Sequence, residues 1–368
     1  MNIVGSAVNF GLGPVGKLSS IISLTEKYTN DIKWFGIGDK LDESIFEKNV
    51  FTKKLWSKNK EEIKKFIKEN KIDLAVNVLD PDLAILLEKL GVKVFYVDSL
   101  PFLWTESDLV PFNVTKYFAQ KCVNMNDRAN AIMSKVKNLI WVDPISPEIL
   151  DEKIEDKYEV LINLGGMHSP YGKGEEYIEL VLINLLQELT KKYNEERMLI
   201  TSGTEANKAI KNSLIKHGFD RVTAKTLKQK EFIKNVVKCD LFITSPGMTT
   251  IYETCRYNKK TIILPPQNLS QFYNTEYAKK LIKYLKTIDW NKEELNFDYL
   301  SKYLSFGEEK VVEIIYQNIK KALEEDEYKT KLKNIIKKTL DDEFLSREII
   351  EFKGNGTEQI VDEILALI

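Results

Sequence analysis

The sequence predicts two doubly wound α/β domains in series, each a parallel sheet covered by helices on both faces. Three observations predict it. Short β-branched runs alternate with amphipathic helical stretches from the first residues onward. The alternation breaks in "PISPEILDEKIEDK" (144–157), where two prolines and a charge run suit a linker, and it restarts after residue 155. Apolar runs in both halves end in glycines, which suit a turn from strand into helix. The 368 residues are enough for two domains, and the 43% hydrophobic content lets each bury its own core.

The elements follow in order. "NIVGSAV" (2–8) reads as a buried strand, "GKLSSIISLTEKY" (16–28) as a helix and "IKWFGIG" (32–38) as a second strand. "KEEIKKFIKEN" is a helix, "IDLAVNVL" (72–79) a strand, "PDLAILLEKLG" a helix ending at Gly91, and "VKVFYVDS" (92–99) a strand. In the second half, "YEVLINLGG" (158–166), "RMLITSG" (197–203), "DLFITSPG" (240–247) and "KTIILPPQ" (260–267) read as strands. Between and after them, "EEYIELVLINLLQELTKKY", "KEFIKNVVKC" and "MTTIYETCRYN" read as helices. Residues 286–368 are mostly helical, and "FKGNGTEQIVDEILALI" closes on an amphipathic helix. The expected division is 1–152, 153–350 and a final helix in 351–368.

Composition narrows the function. Charged residues make up 30% but cancel to a net charge of −1. That balance gives no electrostatic reason to expect a nucleic acid polymer or an anionic membrane as partner. The Lys-rich stretch "KNKEEIKKFIKENK" (58–71) mixes both signs at helical spacing and reads as a solvated helix face. Cys122, Cys239 and Cys255 are odd in number and widely spaced, which points to reduced thiols in a cytoplasmic protein. Residues 1–8 lack the basic start of a signal peptide, and no run of about 18 apolar residues would span a membrane. Two histidines, with no C-x-x-C and no H-E-x-x-H, argue against a zinc site. The expected partners are small molecules, with a homodimer left open.

"FGLGPVGKL" (10–18) fits three phosphate-loop patterns. Gly11, Gly16 and Lys17 make most of a Walker A loop, but Leu18 stands where a Ser or Thr would hold Mg²⁺. Gly11, Gly13 and Gly16 make the dinucleotide fingerprint between a strand and a helix, with Asp39 about 20 residues on for a ribose. Pro14 has no N–H to give such a loop. The third pattern is the G-x-G-H-x-x-R loop of sugar transferases, with Pro14 in place of the histidine and Lys17 in place of the arginine.

The second half carries the clearer signal. In "DLFITSPGMTTIYETCRYNKKTIILPPQNLSQFYNTEYAKKL" (240–281) a strand ends in Ser245-Pro246-Gly247 and a helix follows at once. A helix amino end binds phosphate through its unpaired N–H groups and its dipole. Glu253 lies one or two turns in, and the next strand leads to Gln267, Asn268, Gln271 and Asn274 in an amide-rich loop. Amides and carboxylates both suit sugar hydroxyls.

This unit resembles the donor half of GT-B glycosyltransferases, in particular the peptidoglycan N-acetylglucosaminyltransferase and its relatives. The resemblance implies two Rossmann-like domains and a last helix that crosses back to the first. It also implies a UDP-sugar as donor, with no other cofactor and no metal. By that resemblance Gly247, Met248 and Thr249 meet the diphosphate, and Glu253 binds the ribose. Gln267, Asn268 and Gln271 sit near the sugar, and Asn274 supports the loop. "NLGGMHSP" (163–170) is then the first donor glycine loop, with Gly166 and His168 at the diphosphate or sugar. "TLKQKEF" (226–232), including Leu227, lies where backbone amides bind uracil. The opening loop, with Gly13, Pro14 and Lys17, faces the cleft, and Lys17 is a phosphate-facing charge.

Proline cannot take a proton, so the resemblance leaves the base to another residue. Asp98 in "VDSLPFLWTESD" (97–108) is the candidate, with Phe102 and Trp104 as exposed aromatics for an acceptor and Asp80 as a further acceptor contact. The G-x-G-x-x-G-K-L loop and "DSLPFLW" also look like cytosylglucuronate synthases, which implies UDP-glucuronate and a cytosine-type acceptor. Three other readings stay open: a UDP-sugar epimerase of the same fold, an NAD-dependent oxidoreductase, and a nucleotide-sugar-binding protein without catalysis.

Overall fold

The computed structural model describes residues 1–9, 13–41, 43–46, 49–122, 125–147, 158–165, 167, 174–303, 308–347 and 354–368. The chain divides into two compact units. The first is Met1–Ile149 with Lys228–Lys230 and Glu351–Ile368, and the second is Leu150–Leu227 with Glu231–Ile350.

Unit one runs β1 (Asn2–Ala7), α1 (Gly13–Tyr28), β2 (Lys33–Ile37), β3 (Phe51–Leu55), α2 (Lys60–Asn70), β4 (Leu74–Val78), α3 (Pro81–Lys89), β5 (Lys93–Asp98), β6 (Lys116–Gln120), α4 (Asp127–Met133) and β7 (Leu139–Val142). Its seven strands are all parallel, in the order β3-β2-β1-β4-β5-β6-β7. The apolar runs are continuous because both sheet faces are covered. On β5, Phe95 and Val97 face one core while Val94 and Tyr96 face the other. Helix α1 begins at Gly13, three residues before the sequence suggests. Pro14 therefore lies in its first turn, where a missing N–H costs no helical hydrogen bond. Strands β3, β6 and β7 carry little sequence signal. Of β3 only Phe51 is buried, so its pattern does not alternate.

Unit two runs β8 (Val160–Leu164), α5 (Glu175–Tyr177), a π turn (Ile178–Leu182), α6 (Ile183–Leu189), β9 (Met198–Ser202), α7 (Thr204–Lys216), β10 (Thr223–Lys225), α8 (Gln229–Lys238), β11 (Leu241–Thr244), α9 (Met248–Tyr257), β12 (Thr261–Ile263), α10 (Leu269–Leu281), β13 (Leu285–Thr287), α11 (Phe297–Ser301), α12 (Glu308–Glu324) and α13 (Asp326–Asp341). Its six parallel strands have the order β10-β9-β8-β11-β12-β13. Each sheet grows outward from its first strand in both directions, which is the Rossmann order. Gln271 and Asn274, read from sequence as part of an amide-rich loop, lie in helix α10. Asn268 caps it by accepting the Gln271 N–H at 3.0 Å. Among the described residues no helix is long and apolar enough to cross a membrane.

The last helix, α14 (Gly356–Leu365), belongs to unit one and packs on α1. Ile360, Val361 and Ile364 are fully buried there, worth about 1.5–3 kcal/mol each. Its amino end is pinned to the segment after β7. The Gly356 N–H donates to Pro144 O at 3.0 Å, and Thr357 Oγ1 donates to Ser146 O at 2.8 Å. The Asp143 N–H donates to Gln359 Oε1 at 2.8 Å.

A Cβ on Gly356 would overlap the Asp143 carbonyl. Gly356→Ala is therefore expected to cost about 1–3 kcal/mol by overpacking, seen as a lower urea midpoint with an unchanged slope.

Candidate functional site

In doubly wound sheets ligands collect at the carboxyl edge, beside the strands where the order reverses. In unit two those strands are β8 and β11, joined at the edge by the Ser245 N–H on Asn163 O at 2.9 Å. After β11 the chain turns through Ser245-Pro246-Gly247 into α9. Gly247 is the N-cap, with extended backbone (φ −76, ψ 135), and it carries no side chain to cap the helix. A Cβ there would meet only Thr250 Oγ1 at 3.6 Å, an ordinary contact, so packing does not require glycine. The first turn of α9 holds no acidic residue. Here a helix amino end with no acidic residue in its own first turn follows the strand edge, a setting that favours an anion.

The amides expected near a sugar are hydrogen-bonded within the protein. Gln267 is fully buried. Its Nε2 donates to Ser245 Oγ at 3.4 Å and its Oε1 accepts from Tyr316 Oη at 3.3 Å. Gln271 accepts the Gln267 N–H at 2.8 Å and donates to Gly165 O at 3.4 Å. Asn274 Nδ2 donates to Pro246 O at 2.9 Å. The face of α10 thus ties together the ends of β8, β11 and β12. Tyr177 and Trp290 extend the clamp by donating to Pro265 O at 2.7 Å and Pro266 O at 2.8 Å. The side chains of Gln267, Asn268 and Gln271, expected near the sugar, are buried and brace these loops. The reason is general: a buried amide needs partners, and the nearest are backbone groups of the loops.

Met248 is buried and Thr249 half-buried at the start of α9. Glu253 is buried on the same helix, near enough to Tyr257 that its charge adds to burial in pushing that phenol up to about 12. Leu227 lies between β10 and α8 with its side chain in a core formed with Leu161, Leu199 and Phe242. Gly166 and His168 lie outside the described residues, as do Gly11 and Leu12 of the opening loop.

In unit one the carboxyl edge carries a different chemistry. Asp98, the last residue of β5, is fully buried. Its Oδ1 accepts the Leu100 N–H at 2.8 Å, and its Oδ2 accepts Tyr117 Oη at 2.6 Å and Trp104 Nε1 at 2.7 Å. Burial raises its pKa, against the opposing pull of those hydrogen bonds. The base expected from sequence is thus a carboxylate that fastens the segment from Leu100 to Trp104. Phe102 is also corrected. It is 2% exposed, a core residue and not an exposed stacking face. Trp104 is half-buried. Asp80 caps α3 by accepting the Leu83 N–H at 3.1 Å, and burial, then the charge of Asp39, raises its pKa. The residue before it, Leu79, is held at φ 60. Asp39 pairs with Lys58 at 2.9 Å and accepts the Asn9 N–H at 3.4 Å. Lys17 is 3% exposed, on α1.

Solved structures share this architecture over the full chain. The UDP-GlcNAc 2-epimerase of Methanocaldococcus jannaschii, in complex with UDP-GlcNAc and UDP, is 16% identical with a TM-score of 0.58, and 100% of both chains is covered. The UDP-GlcNAc 2-epimerase of Neisseria meningitidis, bound to UDP-GlcNAc, is 13% identical with a TM-score of 0.54, again over 100% of both chains. MurG of Acinetobacter baumannii is 12% identical with a TM-score of 0.48 over 99% of each. No protein-family model matches the chain, and the search of the curated proteins found no match. At these identities the likeness is one of fold. The chain has the two-domain α/β architecture of the GT-B class.

Asp98→Asn replaces an acceptor oxygen with a donor among three donors. It is expected to lower stability by about 1–3 kcal/mol in urea unfolding, with a changed near-UV signal from Trp104. An unchanged unfolding midpoint would sink the fastening role.

Proposed function

We propose that unit two binds a UDP-sugar with its diphosphate at the amino end of α9, and that the protein is a glycosyltransferase acting on a small acceptor. The observation that carries the reading is Gly247. A residue that packing does not require is the N-cap of a ten-residue helix and brings no side-chain cap of its own, at the strand edge where β8 and β11 part. The clamp made by Gln267, Gln271 and Asn274 keeps that edge in one arrangement, so little reorganisation is needed when charge develops on the leaving diphosphate. Helix-end charge stabilisation of up to about 2 kcal/mol in a partly buried setting favours departure. Glu253 on α9 is the proposed ribose contact, and Gly166, His168, Leu227, Met248 and Thr249 are further donor contacts. The UDP-sugar is substrate, with no other cofactor. UDP-glucuronate and a nucleobase such as cytosine are the proposed pair. The proposal keeps Gly13 as a donor contact and Lys17 as a catalytic, phosphate-facing charge, and on the acceptor side Pro14, Asp80 and Trp104, with Trp104 as the stacking face.

One observation favours a second reading, a UDP-sugar epimerase. The two full-length likenesses with TM-scores of 0.58 and 0.54 are both to UDP-GlcNAc 2-epimerases. The chemistry separates the two. Epimerisation at a C–H centre breaks that bond, so turnover in D₂O without acceptor puts deuterium into the sugar. With UDP-GlcNAc and UDP-glucuronate as probes, mass spectrometry is expected to show no deuterium uptake, and UDP release is expected only with an acceptor. Deuterated UDP-sugar would instead establish the epimerase.

Gly247→Asp tests the anion site directly. Aspartate is a better N-cap than glycine, so the melting temperature should hold or rise slightly. Its charge faces the diphosphate, so UDP affinity measured by calorimetry should fall about tenfold or more. Unchanged UDP binding would remove α9 from the site.

A further inference from the structure

We infer that the outer edge of β7 is a self-association surface, where two copies of the chain pair antiparallel and join their unit-one sheets. The inference does not rest on the UDP-sugar reading, so either can fail alone. Strand β7 ends its sheet beside β6. Asn138 O accepts the Tyr117 N–H at 2.9 Å and Val142 O accepts the Lys121 N–H at 2.8 Å, so residues 138, 140 and 142 turn their backbone groups toward β6. Leu139 and Trp141 therefore turn theirs outward, and among the described residues nothing bonds to them. On either side of this pair the N–H groups are taken. That of Lys137 donates to Phe112 O at 3.1 Å, and that of Asp143 donates to Gln359 Oε1 at 2.8 Å. Trp141 stands on the open stretch with its side chain 38% exposed. Unpaired N–H and C=O groups along a sheet edge are a template for another strand.

The residues of the edge decide the partner. Charge, lysine above all, keeps sheet edges from pairing. Strand β3 carries exposed Lys53 and Lys54, β10 carries exposed Lys225, and β13 carries Lys286. Strand β7 reads Leu-Ile-Trp-Val and carries no charge. The stretch is also complementary to itself. In an antiparallel pair about a two-fold axis at Ile140, Leu139 of each copy stands opposite Trp141 of the other. These are the residues with outward groups, and each such pair exchanges two hydrogen bonds. Their side chains form an apolar cross-strand contact, and Ile140 meets its own equivalent at the axis. Further out, exposed Lys137 stands opposite Asp143, a carboxylate that Lys121 of its own chain holds at 2.9 Å, so the flanks bring opposite charges together. A foreign strand would have to supply this order of apolar and charged positions, which a second copy carries by symmetry. The contact is small, below roughly 1,200 Å², so association is reversible.

Sedimentation of the full chain over a range of micromolar concentrations tests this. Wild-type protein should pass reversibly from monomer to dimer, with a Kd of about 1–100 μM. Trp141→Lys places a charge on the edge and leaves the core intact, so the melting temperature should hold while the Kd rises about tenfold or more. Hydrogen exchange read by mass spectrometry needs no variant. The peptide spanning Leu139–Val142 should exchange more slowly as the wild-type concentration rises, and peptides from β3 should not change. A wild type that stays monomeric throughout overturns the inference. So does a dimer that Trp141→Lys leaves equally tight, or one that forms without added protection of β7, because the contact then lies elsewhere. Species larger than two overturn it as well, since one such edge per copy permits only a pair.

Discussion

Every strand pair within each sheet is parallel, and the rest of the structure follows from that constraint. A parallel strand must be re-entered from the same end, so the chain leaves each carboxyl edge and returns through a crossover, most often a helix. Helix amino ends therefore collect at one edge of each sheet. In unit two this brings the starts of α7, α9 and α10 to the ends of β9, β11 and β12. Their dipoles make that edge electropositive without any cluster of lysines. A chain with a net charge of −1 can thus hold a locally electropositive edge that composition does not reveal.

That edge is stiffened by buried amides. Gln267, Gln271 and Asn274 each donate a side-chain N–H, two of them to loop carbonyls and one to the Ser245 hydroxyl. Tyr316, from α12, and Tyr177 secure the end of β12 from behind. Burial pushes the Tyr316 phenol up to about 12, so it stays a donor through the neutral range. The network is polar yet internally satisfied for the most part, which is the condition under which buried polar groups specify one arrangement. Asn207 Nδ2 and Asn274 Oδ1 are buried without partners, and both belong to helices that begin at this edge.

Unit one uses its edge differently. Asp98, Tyr117 and Trp104 form a closed set around one carboxylate, which binds the chain after β5 back onto the sheet. Asp39 and Lys58 do the same for the ends of β2 and β3. Both carboxylates looked chemical in the sequence because each ends a strand. Their partners come from elsewhere in the chain, Tyr117 19 residues from Asp98 and Lys58 from beyond β3. Leu79, held at positive φ just before Asp80, marks the strand junction of unit one as a place where the backbone is strained.

The sequence by itself determined the two α/β halves, the central strands, the main helices and the last helix as a separate element. Those features are written in local apolar periodicity and in Gly and Pro punctuation, and both sheets bury such runs on both faces. It also located the Ser245-Pro246-Gly247 turn, because strand, glycine and helix are adjacent in the chain. The short edge strands β3, β7, β10 and β13 were not legible, since three to five residues with few buried positions leave no period to read. Nor were the roles of the polar residues. Whether Gln267 meets a sugar or a serine, and whether Asp98 takes a proton or holds a tryptophan, depends on groups brought close by the fold. A side chain's chemistry is fixed by its type, but its partner is fixed by burial, and only tertiary structure decides burial.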